Sequence, residues 1–199
     1  MSQKSVDFFF DVGSPASYLA WTQIGALCRD AGATLVYKPM LLGGVFQATG
    51  NASPATVPAK GRYTFTDFDR FARRYDVPLH RNPHFPINTL AYMRAITGMQ
   101  MRHPERFEAF TQAVFDAIWV QSLNLNDPQI AATALADADY PPDLVQGLIN
   151  DAEVKARLKT VTEEAVARGV FGAPTMFVGD EMFFGQDRLE WVKEALAAP

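Results

Sequence analysis

The sequence predicts an α/β fold in which a βαβ unit opens the chain, a ββα unit closes it, and an all-helical insertion separates the two. Three observations predict this. The runs that suit strands, apolar with aromatic and β-branched residues, lie before residue 41 and after residue 173. Between residues 62 and 168 the apolar positions recur at helical spacing instead. A chain of 199 residues, 48% hydrophobic and with 15 Phe, has the material for one domain carrying a large insertion.

Each element follows from local chemistry. "SVDFFFDV" reads as a strand that ends at Gly13. "SPASYLAWTQIGALCRDAG" reads as a helix, with Ser14 as N-cap, Pro15 at the first helical position and Gly32 as the stop. Leu19, Ile24, Leu27 and Cys28 form much of its apolar face. "ATLVYKPM" is the second strand, interrupted at Pro39, and the right-handed crossover rule makes it parallel to the first. The Gly-, Pro-, Ser- and Thr-rich stretch over residues 41–61 is expected to be mostly loop, with Gly43-Gly44 and Pro58 leading into the insertion. Helical faces then follow at Phe65, Phe68, Phe71 and Tyr75, and at Phe107, Phe110, Val114 and Ile118. "DPQIAATALADA" opens with an Asp cap, and "AEVKARLKTVTEEAVARG" is another helix. "PTMFVGDEMFFG" predicts two strands around a tight Gly-Asp turn, and "QDRLEWVKEALAA" a closing helix. Residues 1–61 and 169–199 are thus expected to form one domain, and residues 62–168 the insertion.

Composition excludes several functions. A net charge of -4 and a pI near 5.3 give no support for nucleic acid or anionic membranes as partners. No window approaches the ~20 apolar residues of a membrane span. The apolar run in "MSQKSVDFFFDV" is too short for a signal-peptide core. Cys28 is the single cysteine, which rules out an intramolecular disulfide and dithiol redox chemistry, and a cytoplasmic location is expected. His80 and His84 are four apart, but Pro83 and Pro86 break any helix that would align them, so no metal site is expected. There is no Gly-x-Ser-x-Gly elbow and no Lys-Ser/Thr phosphate loop.

Chemistry is concentrated at two places. A Ser-Pro pair opening a helix is what capping alone selects. That helix end also offers unpaired N–H groups and a positive dipole end to an anion, and the Ser14 hydroxyl adds a further donor. Far along the chain, Gly172-Ala173-Pro174-Thr175 precedes a strand. Asn51 after Gly50, and Lys60, read on their own as a turn residue and a surface charge. Asn88 reads as a cap for the helix that follows it. Among the aromatics, Phe8, Phe46, Phe85 and Trp119 are candidates for lining an apolar pocket.

The segments "FFFDVGSPASYLA", "TGNASPATVPAKGRY", "HFPINTLAYMRA" and "GVFGAPTMFVGDEMFFGQDRL" resemble, in order and over nearly the whole chain, the 2-hydroxychromene-2-carboxylate isomerases. These belong with kappa-class glutathione transferases and DsbA-like proteins, so the resemblance implies a thioredoxin-like domain with a helical insertion. Thioredoxin-type redox enzymes have cysteines where this chain has Ser14 and Ser17, and Pro174 falls where they have a cis-proline loop. The resemblance implies glutathione as cofactor, with Ser14 donating its hydroxyl to the sulfur. It implies contacts to the tripeptide from Asn51 and Lys60, backbone pairing at Ala173 beside Pro174, and binding of the γ-glutamyl end by Gln186 and Asp187. The family often has Ser where this chain has Gln186. Asp187 also suits a ligand ammonium on chemical grounds, and equally suits the first turn of the last helix.

The implied activity is isomerisation of a bicyclic hydroxychromene carboxylate to an open-chain trans-hydroxybenzylidene pyruvate, by reversible thiolate addition. A kappa-class-like transferase and a non-catalytic thiol-peptide binding module are the alternatives. A serine at position 14 keeps the donor and avoids the mixed disulfide that a cysteine would form with glutathione. A small aromatic carboxylate as substrate, with Lys60 or Arg81 as its anchor, and a homodimer complete the expectation.

Overall fold

In the computed structural model, which describes residues 4–198, four strands pair into one mixed sheet. The first three residues and Pro199, which fall within the expected domain limits, lie outside the described part. Strand β1 (Ser5–Phe10) runs parallel to β2 (Thr34–Pro39), and helix α1 (Pro15–Asp30) crosses between them. Strand β3 (Thr175–Val178) is antiparallel to β1, and β4 (Glu181–Phe184) is antiparallel to β3. Helix α9 (Leu189–Ala197) closes the chain. Gly179, with φ +60, makes the tight turn between β3 and β4.

Between the two halves of the sheet come α3 (Pro58–Tyr75), α4 (Leu90–Arg102), α5 (Phe107–Trp119), α6 (Pro128–Asp137), α7 (Pro142–Asn150) and α8 (Ala152–Ala167). The Phe8-Phe9-Phe10 run makes sense as an inner strand covered on both faces. Phe8 and Phe10 stack 5.3 Å apart in the larger core with α1, α4 and α5. Phe9 points the other way, into a smaller core with Met40, Val161, Ala165 and Phe177. No described helix is long and apolar enough to cross a membrane.

The expected loop over residues 41–61 is instead largely helical. Helix α2 spans Leu42–Thr49, a 3-10 turn follows at Pro54–Thr56, and α3 begins at Pro58. The cause is position. Gly43 and Gly44 sit in the first turn of α2, and a Cβ on Gly44 would lie 3.2 Å from Thr162 of α8, so glycine permits close packing there. Pro54 and Pro58 are first-turn residues, where the missing N–H costs nothing.

Register places the two distant motifs side by side. Thr175 pairs with Phe9, so the residues before β3 run alongside the end of β1 and the start of α1. The peptide bonds Ala173–Pro174 and Phe85–Pro86 are both cis.

Candidate functional site

Ser14 is the N-cap of α1, with extended backbone (φ -97, ψ 116), and its Oγ accepts from the N–H of Ser17 at 3.1 Å. The same hydroxyl donates to the carbonyl of Ala173 at 3.0 Å, across 159 positions of sequence. The Ala173–Pro174 turn is itself held: Gly185 N–H donates to Pro174 O at 3.0 Å, and Thr175 Oγ1 donates to Gly172 O at 2.9 Å. Ser14 is 6% exposed, and that remainder faces a cleft of about 1170 Å3.

Asn51, Lys60, Ala173, Gln186 and Asp187 line the same cleft, and Pro174 is buried immediately behind Ala173. Asn51 bridges two segments, donating to Phe171 O at 2.7 Å and accepting from Ala52 N–H at 2.8 Å. Lys60, near the start of α3, is exposed and makes no ion pair among the described residues. Among the described residues it is the one cation lining the cleft. Asp187 pairs with Arg188 beside it, in the 3-10 turn that precedes α9. Gln186 is 3% exposed, so its side chain is a wall component rather than a surface group. Phe46 and Phe85 line the cleft with Phe65, Phe171 and Phe184, whereas Phe8 and Trp119 are core residues. Arg81 lies outside the lining and stacks on Phe65 at 5.0 Å. Asn88 accepts from Leu90 N–H at 3.2 Å, but it lies one residue before the cap position, which Thr89 holds without a side-chain cap bond.

Asp11 was given no role by the sequence reasoning. It is 1% exposed, at the floor of the cleft. One oxygen accepts from Gly13 N–H at 2.8 Å, and the other from Leu42 N–H at 2.8 Å and Thr89 Oγ1 at 3.1 Å. Gly13 precedes α1, Leu42 opens α2 and Thr89 precedes α4, so one carboxylate meets the positive ends of three helices. Burial pushes its pKa up, and the three hydrogen bonds pull against that. Its only sequence signal was an acid at the end of an apolar strand.

The arrangement sets the positive end of α1, capped by the Ser14 hydroxyl, against the backbone at Ala173, whose carbonyl that hydroxyl holds. An aromatic wall lies alongside. A family model, the DSBA-like thioredoxin domain, matches residues 5–197. A 2-hydroxychromene-2-carboxylate isomerase of Sphingobium xenophagum is 30% identical, over 97% of this chain and 98% of that protein. The chain belongs to this isomerase family within the DsbA-like fold. A solved 2-hydroxychromene-2-carboxylate isomerase superposes with a TM-score of 0.80 at 30% identity, covering 97% of this chain and 94% of that one. The helical insertion is therefore part of the family fold. Human glutathione S-transferase kappa 1 is 29% identical, over 97% of this chain and 91% of that protein.

Proposed function

We propose that the protein is a glutathione-dependent isomerase acting on 2-hydroxychromene-2-carboxylate-type compounds and yielding trans-o-hydroxybenzylidenepyruvate, in bacterial-type aromatic catabolism. The observation that carries this reading is the Ser14 hydroxyl, which faces the large cleft at a helix N-terminus, 3.0 Å from the carbonyl before Pro174. The donor set suits glutathione. Lys60 offers a cation, Asp187 a carboxylate for an ammonium, and Ala173 a backbone edge for an extended peptide. Asn51, Gln186 and Pro174 frame these contacts.

When bound beside Ser14, glutathione would supply a nucleophilic thiolate for reversible addition to a conjugated substrate. The protein's part is to keep that sulfur ionised. A free thiol has a pKa near ~8.5, and holding it as thiolate at neutral pH takes a shift of about two units, or ~2.7 kcal/mol. The helix end contributes ~0.3–2 kcal/mol, and a hydroxyl bonded to a charged acceptor ~1.5–3. Ser14 has a single proton, so turning it toward sulfur forfeits the bond to Ala173, about 0.5–1.5 kcal/mol. The balance stays near the shift required. The aromatic wall of Phe46, Phe65 and Phe85 would hold a flat substrate and exclude water. Lys60, as the cation lining that cleft, is a candidate anchor for the substrate carboxylate as well as for the tripeptide.

The likeness to human glutathione S-transferase kappa 1 supports a second reading, in which the conjugate is released as product. Thiol titration separates the two. An isomerase leaves the glutathione concentration constant over many turnovers, whereas one thiol lost per substrate would establish the transferase. A cytoplasmic homodimer goes with the main reading. The compartment is supported by a lone buried cysteine, Cys28, whose thiol burial pushes up to about 11 and so keeps unreactive. The dimer rests on the family resemblance.

A further inference from the structure

Tyr75 is the last residue of α3, the helix that begins two residues before Lys60. Its hydroxyl lies 3.0 Å from Oε1 of Gln186 and 3.3 Å from the backbone oxygen of the same residue. The contact ties the outer side of the cleft to the turn between β4 and α9. A side-chain amide has one acceptor end and one donor end. A phenol has one proton to give, and both neighbours here are oxygens, so Tyr75 engages the acceptor end. Burial pushes the Tyr75 phenol up, which keeps it a donor at neutral pH.

The donor end of Gln186 is left over. Its nitrogen bonds no protein group among the described residues, and it is not sealed from the cleft either. Among the described residues, the one side-chain polar atom that is both sealed from solvent and unpartnered is Ser17 Oγ. Gln186 nonetheless lines the cleft while only 3% exposed, and the next residue along, Asp187, presents a carboxylate to the same space. An N–H donor beside a carboxylate complements the carboxylate and ammonium of an α-amino acid head.

Resting on the glutathione reading above, we infer that Tyr75 is a positioning residue for cofactor selection: by holding Oε1 of Gln186 it aims the amide N–H groups at the α-carboxylate of the γ-glutamyl end. Without that hydroxyl the amide is free to turn end for end and present an oxygen to an anion. Tyr75 would then decide how well the site tells glutathione from peptides lacking the γ-glutamyl group.

Calorimetry on the full chain with glutathione and with cysteinylglycine, which lacks that group, tests this. Wild-type protein is expected to bind glutathione the more tightly. Tyr75→Phe should weaken glutathione about 10-fold and leave cysteinylglycine within about twofold. Gln186→Glu keeps an acceptor for Tyr75 but replaces the donor with an anion, and should weaken glutathione about 100-fold, again sparing cysteinylglycine. This second variant stands in if the first fails to fold. Parallel losses for both ligands, or no change for either, would overturn the inference. Failure of the wild type to bind glutathione would instead remove the function proposed above, and this inference with it.

Discussion

The two sides of the cleft are built differently. On the side formed by the ends of β1 and β4, three polar side chains are buried, Asp11, Ser14 and Gln186 being 1%, 6% and 3% exposed, and only Asp187 stands exposed. On the side formed by α2 and the start of α3, Asn51 and Lys60 are exposed, and Lys60 bonds nothing among the described residues. The buried groups of the first side are fixed in place, so the Ser14 hydroxyl needs only to turn its proton from Ala173 toward a sulfur. The second is free to adapt to what it covers. Chemistry should therefore depend on the first side, and affinity should be shared with the second.

Substitutions test that contrast. The largest effect is expected at Ser14: Ser14→Ala should lower kcat/KM by about 10²–10³-fold, as for loss of one preorganised donor. Its stability loss should be ~1–3 kcal/mol, a cap and the bond to Ala173 together. Turnover near the wild-type value would show that the bonded side does not do the chemistry. Next comes Asp11→Ala, which strands three donors from three segments at once. A loss of ~2–4 kcal/mol in urea unfolding is expected. A smaller penalty would mean that water takes over those donors.

Lys60→Ala sharpens the other half of the comparison. The KM for glutathione should rise several-fold, on the order of 1 kcal/mol for an exposed charge, while stability stays within ~0.5 kcal/mol. A collapse in kcat there would blur the distinction between the two sides. The smallest effect has the opposite sign. Ser17 is 0% exposed and its Oγ has no partner. Ser17→Ala should raise stability by up to ~1 kcal/mol and leave turnover alone, because the bond to Ser14 Oγ comes from its backbone N–H. The two serines of this helix turn, one bonded on both sides and one on neither, thus predict opposite outcomes from the same substitution.

Much of this was legible in the sequence where the cause is local. The Phe8-Phe9-Phe10 run, the Ser14-Pro15 helix start and the Gly179-Asp180 turn each specify their geometry from within a few residues. What was hidden depends on partners far off in the chain. Helix α2 is hidden in the sequence because two glycines in its first turn read as loop, until Asp11 takes the N–H of Leu42 and Thr162 packs against Gly44. Asp11 itself reads as an incidental acid, since two of its three partners sit 31 and 78 positions away. Tyr75 matched a helical apolar stripe, and nothing in that spacing pointed to Gln186, 111 positions on. The candidate residues other than Pro174 lie around one cleft, while the contacts that fix each side chain depend on the folded chain.

The bond between Ser14 and Ala173 also has a temporal side. Synthesis runs from one terminus to the other, at ~5–20 residues per second in a living cell. The serine leaves the ribosome early, and the carbonyl that meets it follows 159 residues later, together with the strand that slots in next to β1. A nascent polypeptide paused ahead of Phe171 would hold nearly every helix of the finished protein and still have no partner for that hydroxyl. The catalyst is complete only when its last strands dock.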